Sequence, residues 1–257
     1  MGGPVTIPPP DIHVSYAGLM LVSLVLVLAV PTTAQFTRGE DRSRYYTMQA
    51  ITVVAALLGA KVAVVLGDAL WPLRPFDDWR ALMASGRSIV GALLFGFLAV
   101  EAAKPLLGYD IPPNDRFAVV LPFSIGIGRV GCLLAGCCRG APYDGPLAIA
   151  YDDHVLRHPA QMYEVVFQLA AGWLLLRLWR RGMLFGRLFA LYLVIYGVFR
   201  FLTEFIRETA KPYDGLSAYQ LMCVAMVVAG GAALVARTSR RQPASWNRWK
   251  AFQETAT

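Results

Sequence analysis

The stretch Phe117-Ala118-Val119-Val120-Leu121-Pro122-Phe123-Ser124-Ile125-Gly126-Ile127-Gly128-Arg129-Val130-Gly131-Cys132-Leu133-Leu134-Ala135-Gly136 carries a single charge in an otherwise apolar run. A helix needs about 20 mainly apolar residues to cross roughly 30 Å of hydrocarbon, and this stretch has that length. Outward from it lie six more candidate spans: about 14–30, 47–70 and 88–107 before it, and about 160–178, 184–205 and 217–236 after it. The 257 residues are 56% hydrophobic and only 16% charged, with mean hydropathy +0.49. A soluble domain carries about 25% charged residues, so the deficit points to lipid as the solvent.

The expected fold is therefore all-α, a polytopic membrane helical bundle of about seven transmembrane helices over residues 1–236. A basic cytoplasmic tail, 237–257, would follow, with Trp246 and Trp249 able to rest on the membrane surface. The first run resembles a secretory signal only superficially. No Lys or Arg precedes it and more hydrophobic spans follow, so a retained helix is expected.

Orientation follows from basic residues in the short loops. One side holds Arg38, Arg42, Arg44, Lys104, Arg116, Arg177, Arg180, Arg181, Arg187, Arg237, Arg240, Arg241, Arg248 and Lys250. The other holds half as many: Arg74, Arg80, Arg87, Arg139, Arg157, Arg207 and Lys211. The N-terminus is expected outside and the C-terminus in the cytoplasm. The net charge of +7 then sits mainly where anionic lipids attract it, and no nucleic-acid partner is needed to explain it.

Ionisable groups within spans cost roughly 3 kcal/mol or more and are functional candidates by default. Arg129 lies among Gly126, Gly128 and Gly131, small residues that admit a neighbouring backbone or a ligand. Its planar guanidinium suits a phosphate; a structural pair with a membrane carboxylate is the other reading. In Tyr196-Gly197-Val198-Phe199-Arg200-Phe201-Leu202-Thr203-Glu204-Phe205, helical spacing puts Tyr196, Arg200 and Glu204 on one face. In His158-Pro159-Ala160-Gln161-Met162-Tyr163-Glu164, a helix start brings Gln161 and Glu164 to one face. There His158 is either a proton acceptor or an interface cap.

Cys132, Cys137 and Cys138 fall within seven positions, while Cys223 reads as packing in an apolar helix. A zinc site ordinarily has better separated ligand pairs, so no metal and no cofactor is expected. A structural disulfide, plain packing, or a thiolate favoured by Arg129 or Arg139 remain open readings. Glu101 and Lys104 pair at i, i+3 and are assigned no chemistry.

Three of these motifs, taken in order, resemble the bacterial prolipoprotein diacylglyceryl transferase family. They are Gly128-Arg129-Val130-Gly131; His158-Pro159-x-Gln161-x-Tyr163-Glu164; and Tyr196-Gly197-x-x-Arg200-Phe201-x-x-Glu204-Phe205-x-Arg207. The likeness runs from about 85 to 235. It implies an enzyme of the bacterial plasma (inner) membrane that takes the diacylglyceryl group of phosphatidylglycerol. That group would pass to the lipobox cysteine thiol of a secreted precursor, forming a thioether and releasing glycerol phosphate. By the resemblance Arg129 and Arg200 hold the phosphate, Glu164 and Glu204 orient them, and Tyr196 lines the lipid cavity. The expected catalytic set is Arg129, Arg200, Glu204, His158, Glu164 and Cys137. The expected binding set adds Gly128, Gly131, Gln161, Tyr163, Tyr196, Arg207 and Cys132.

The chain also departs from the family pattern. Where members open the third span with His-Gly-Gly, it has Arg87-Ser88-Ile89-Val90-Gly91, and Cys132 and Cys137 stand where members carry Asn and Glu. The first-span motif reads Ala17-Gly18-Leu19-Met20, with Tyr16 shifted by one. Two alternatives therefore stay beside the transferase: a divergent member using its cysteines for thiol or redox chemistry on an anionic phospholipid, and a non-enzymatic lipid-binding protein.

Overall fold

The computed structural model describes residues 5–6, 12–28, 40–69, 86, 88–108, 115–151, 154–184 and 186–239. The tail beyond 239, with Trp246 and Trp249, lies outside the described residues, as does Arg87. The elements are β1 (Val5–Thr6), α1 (Ile12–Leu28), α2 (Glu40–Val64, continued by a π turn, Val65–Ala69), α3 (Ile89–Leu107), α4 (Asp115–Leu134), β2 (Ile149–Ala150), β3 (Leu156–Arg157), α5 (Ala160–Arg180), α6 (Leu188–Thr203, continued by a 3₁₀ turn, Glu204–Ile206) and α7 (Ala218–Ser239).

Among the described residues, five helical segments are long and apolar enough to cross a membrane: Ser43–Gly67, Ile89–Leu107, Asp115–Leu134, Leu188–Ile206 and Ala218–Arg237. The protein is an all-α, multi-pass membrane bundle. Helices α1 and α5 occupy the other two expected spans but do not meet the same measure, so the expected seven stands at five by length and hydropathy. Helix α2 begins earlier than its apolar run because its first turns are charged, with Glu40, Asp41, Arg42 and Arg44.

Polarity is inverted relative to a soluble protein. Leu58, Val166, Trp173, Val228 and Val235 are exposed, whereas Arg129, Gln161, Glu164, Gln168, Arg200, Glu204 and Gln220 are buried. Lipid accepts the apolar faces; polar groups must find partners inside.

The chain forms two compact units. The first comprises Met1–Val30, Asn114–Leu188 and Phe205–Glu208. In it α1 packs on α4 through a reciprocal serine clasp. Ser23 Oγ donates to the Ser124 carbonyl at 2.9 Å, and Ser124 Oγ donates to the Ser23 carbonyl at 2.8 Å. Helices α4 and α5 meet where Gly172 faces the Phe123 ring; a Cβ there would lie 2.9 Å from it. Buried Asp115 opens α4 and accepts hydrogen bonds from the Gly186 and Leu188 backbone N–H groups, which ties down the α5–α6 connection. Between α4 and α5 the Gly-, Pro- and Asp-rich connection builds a small sheet. β1 pairs parallel with β2, and β2 pairs antiparallel with β3.

The second unit comprises Pro31–Pro113, Phe189–Glu204 and Thr209–Thr257. Helices α2 and α3 cross at Gly59 and Gly91, where a Cβ on Gly91 would lie 2.2 Å from the Gly59 carbonyl oxygen. Ser88 caps α3 by accepting from the Gly91 N–H at 3.4 Å. Helix α6 meets α7 through Gly197, beside Val227 and the Cys223 carbonyl, and through Gly230, beside the Ala190 carbonyl. Glu101 of α3 pairs with Lys104 at 2.5 Å and with Arg237 of α7.

Candidate functional site

Helix α4 carries Arg129 in its second half. Its Nε lies 2.9 Å from Glu164 Oε2 on α5, and both side chains are almost wholly buried. The α5 face that meets α4 is polar at three positions, Gln161, Glu164 and Gln168, all sealed from the surface. The i, i+3, i+7 spacing makes this one stripe. Gly128 faces Met20 of α1 and Gly126 faces Gln168 of α5, each with a hypothetical Cβ at 3.6 Å. These glycines thus sit in ordinary helix contact.

One turn beyond Arg129, α4 ends in a way its sequence dictates. Cys137 N–H bonds the Cys132 carbonyl at 3.1 Å, and Gly136 N–H bonds the Leu133 carbonyl at 3.1 Å. Gly136 takes φ +60°. This is the Schellman termination, whose geometry brings the residue after the glycine against the one five positions earlier. Here those two residues are Cys132 and Cys137. Cys138 also takes φ +60°, rare for a residue with a Cβ, and turns its side chain toward the same point. The three Sγ atoms lie within 4.8 Å of one another, and none forms a disulfide.

Arg207 Nη2 donates to the Cys138 carbonyl at 3.5 Å, and Gln161 Nε2 donates to the Cys137 carbonyl at 2.5 Å. The hydrogen bonds of Cys132 and Cys137, assisted by the positive Arg129 and Arg207, hold the Cys138 thiol below its ordinary pKa against the effect of burial. Cys137 is pushed above it by its hydrogen bonds to Cys132 and Cys138 and by burial. Gln161 also accepts from the Tyr151 hydroxyl at 3.0 Å, and burial raises the pKa of that phenol. The Arg139 guanidinium lies over the Tyr151 ring, 4.9 Å from its centre, while its Nε donates to the Gly136 carbonyl at 2.6 Å.

His158 precedes α5. Its ring stacks on Tyr143 at 3.8 Å, and Nδ1 lies 3.3 Å from the Tyr163 hydroxyl. Its backbone pairs with Gly140 and Ala141; a Cβ on Gly140 would meet the His158 carbonyl oxygen at 2.5 Å. Pro159 takes the cap position and Ala160 opens the helix. Arg157 binds Glu208 at 2.6 Å, fastening the loop to the segment that bears Arg207.

In the second unit Arg200 Nη2 lies 3.0 Å from Glu204 Oε2, again nearly sealed from the surface. Tyr196 is fully buried and stacks on Tyr192 at 5.7 Å. Glu204 accepts from Thr209 Oγ1 at 2.7 Å and from Ser217 Oγ at 3.4 Å, and Gln220 closes this polar cluster through the Phe201 carbonyl at 3.3 Å.

The expected residues thus fall into two groups. Gly128, Arg129, Gly131, Cys132, Cys137, His158, Gln161, Tyr163, Glu164 and Arg207 belong to the first unit, and Tyr196, Arg200 and Glu204 to the second. The sequence reading missed Gln168, Tyr151, Ser217 and Gln220. Gln168 is signalled by its i+4 relation to Glu164, and Ser217 with Gln220 by capping spacing at the start of α7. Tyr151 had no local signal. The three cysteines differ most from expectation. Their close spacing argued against a metal, yet the helix termination folds that short interval into one cluster.

A family model described as prolipoprotein diacylglyceryl transferase matches residues 4–236. The chain is similar to the phosphatidylglycerol–prolipoprotein diacylglyceryl transferase of Clostridium tetani, at 26% identity over 225 residues, covering 84% of this chain and 89% of that one. To the enzyme of that name from Chromohalobacter salexigens it is 32% identical over 210 residues, 74% of each chain. To that from Aeromonas salmonicida it is 33% identical over 178 residues, 66% of this chain and 64% of that one.

Proposed function

The chain belongs to the prolipoprotein diacylglyceryl transferase family, and from that premise we propose that it transfers the diacylglyceryl group of phosphatidylglycerol to the lipobox cysteine of a secreted precursor. The acceptor sulfur attacks the glyceryl carbon, the carbon–oxygen bond to phosphorus breaks, and glycerol phosphate leaves. Negative charge accumulates on the departing phosphate. Fixed cationic donors in a water-poor site stabilise such charge strongly. The observation that carries this reading is the buried Arg129–Glu164 pair, a guanidinium held in orientation at 2.9 Å within a membrane helix. Glu164 sets its carboxylate against the guanidinium, and Gln161 braces the adjoining loop. Arg200, oriented by Glu204, takes the same part from its own unit, an assignment that rests on the family motif. The protein works in the bacterial plasma membrane, with its N-terminus outside and its tail in the cytoplasm.

The test is direct. Purified protein in phosphatidylglycerol vesicles is given a lipobox peptide, and mass spectrometry is expected to find the peptide heavier by one diacylglyceryl group. Arg129→Ala is expected to abolish the product. Undiminished product from that variant would remove the arginine from the reaction.

A further inference from the structure

Cys132, Cys137 and Cys138 place three sulfur atoms within 4.8 Å of one another, and among the described residues no carboxylate or imidazole completes the set. Thiolates are soft ligands that favour zinc or monovalent copper over magnesium or calcium. Zinc–sulfur bonds of about 2.3 Å around a tetrahedral centre set the sulfurs about 3.8 Å apart, so closure on an ion needs side-chain movements of about 1 Å. The backbone is already arranged for it. The Schellman termination fixes Cys132 against Cys137, and the left-handed Cys138 faces them with its carbonyl held by Arg207.

We propose that these cysteines bind one Zn²⁺ ion through three sulfurs, leaving its fourth position for the acceptor cysteine thiol. The proposal rests on the transferase reading for the identity of that thiol. Structural zinc sites fill all four positions with protein ligands, whereas three ligands and an open position mark a site that takes up a reactant. A thiol that coordinates such a cation loses its proton. Three thiolates leave the zinc complex with one negative charge. Arg129, one helical turn before Cys132, and Arg207, bonded to the Cys138 carbonyl, offset it.

The step balances without a redox partner. The acceptor S–H releases its proton on binding. The zinc-held sulfur donates an electron pair to the glyceryl carbon, and the carbon–oxygen pair departs with the phosphate oxygen. The phosphate monoester takes up one proton, and zinc remains divalent throughout.

The experiment uses the full chain, reduced, in detergent, with Zn²⁺ and Co²⁺ as probes. Elemental analysis should find one zinc per chain. The cobalt form should show thiolate-to-cobalt charge-transfer bands and the visible bands of tetrahedral cobalt. These bands should vanish in Cys132→Ser, Cys137→Ser and Cys138→Ser and persist in Cys223→Ser. Cys137→His should restore binding with a shifted spectrum, which separates loss of a ligand from loss of the fold. A lipobox peptide should shift the visible bands, and its Cys→Ser version should not. Removing zinc should slow thioether formation on the order of 100-fold, the size of a lost proton-transfer group.

Absence of cobalt bands from the wild-type chain, or their survival in all three serine variants, overturns the site. Full-rate thioether formation by zinc-free protein overturns its role while the transferase reading stands. A cobalt spectrum that responds to the peptide thiol, with no thioether formed by the zinc enzyme, supports the site and sinks the transferase reading instead.

Discussion

Arg129 and Glu164 share one fate. Each is almost wholly buried, so removing one takes from the other the opposite charge that lies 2.9 Å away. Breaking a buried pair this way costs about 3–5 kcal/mol. Glu164→Ala is therefore expected to lower stability by about that amount, read as a fall in the unfolding temperature in detergent. The double variant with Arg129→Ala should lose less than the sum of the single losses. Arg129→Lys keeps the charge but not the planar fork. It is expected to fold normally and to transfer roughly 100-fold more slowly, the magnitude of one lost donor to a developing oxyanion. A near-normal rate would make Arg129 a general positive charge. At this scale much was legible. A charge inside an apolar run announces itself, and helical spacing put Gln161 with Glu164, and Tyr196 with Arg200 and Glu204. The partner of Arg129 was legible only through the family resemblance, which assigned Glu164 and Glu204 to the two arginines, because Arg129 and Glu164 come from different helices and no local pattern joins them.

Helices announce themselves by apolar length, but their contacts do not. Gly59 and Gly91 look like two glycines among many, yet each is the point where α2 and α3 touch backbone to backbone. Gly91→Ala puts a methyl 2.2 Å from the Gly59 carbonyl oxygen, and the helices must part. Such overpacking costs about 1–3 kcal/mol. Gly96→Ala, whose added methyl would lie 3.3 Å from the Ala56 methyl, is expected to be milder, and comparing the two unfolding temperatures tests the crossing. The end of α4 was legible in principle, since Leu134-Ala135-Gly136 is a helix exit by composition. Its consequence for the cysteines escaped because ligand spacing was judged along the chain rather than around a reversal. Gly136→Ala should cost about 1–2 kcal/mol through its left-handed backbone, and it should also scatter the thiols. Slower, less complete cobalt binding would show the second effect apart from the first.

Across the whole molecule the decisive property is the reversal of polarity. Valine, leucine and tryptophan face outward while arginine, glutamate and glutamine are enclosed, an arrangement stable only with lipid around it. The basic residues flanking the spans set the expected direction. A reporter active only in the cytoplasm is expected to work when fused after Ser239 and to fail when placed in the connection at 143–146. The reverse result would turn the topology over. Composition disclosed this membrane character at once. The small sheet between α4 and α5 stayed hidden, because its strands are two residues long and draw on Val5 and Thr6 from far earlier in the chain.

The serine clasp between α1 and α4 also sets a timetable. Ser23 and Ser124 are 101 positions apart, so at about 5–20 residues per second the ribosome delivers the second roughly 5–20 s after the first. Until then α1 is a newborn helix without its mate, whereas α2 and α3 emerge in succession and can join at once. The hydroxyls of Ser23 and Ser124 then make α4 the helix for which α1 has waited.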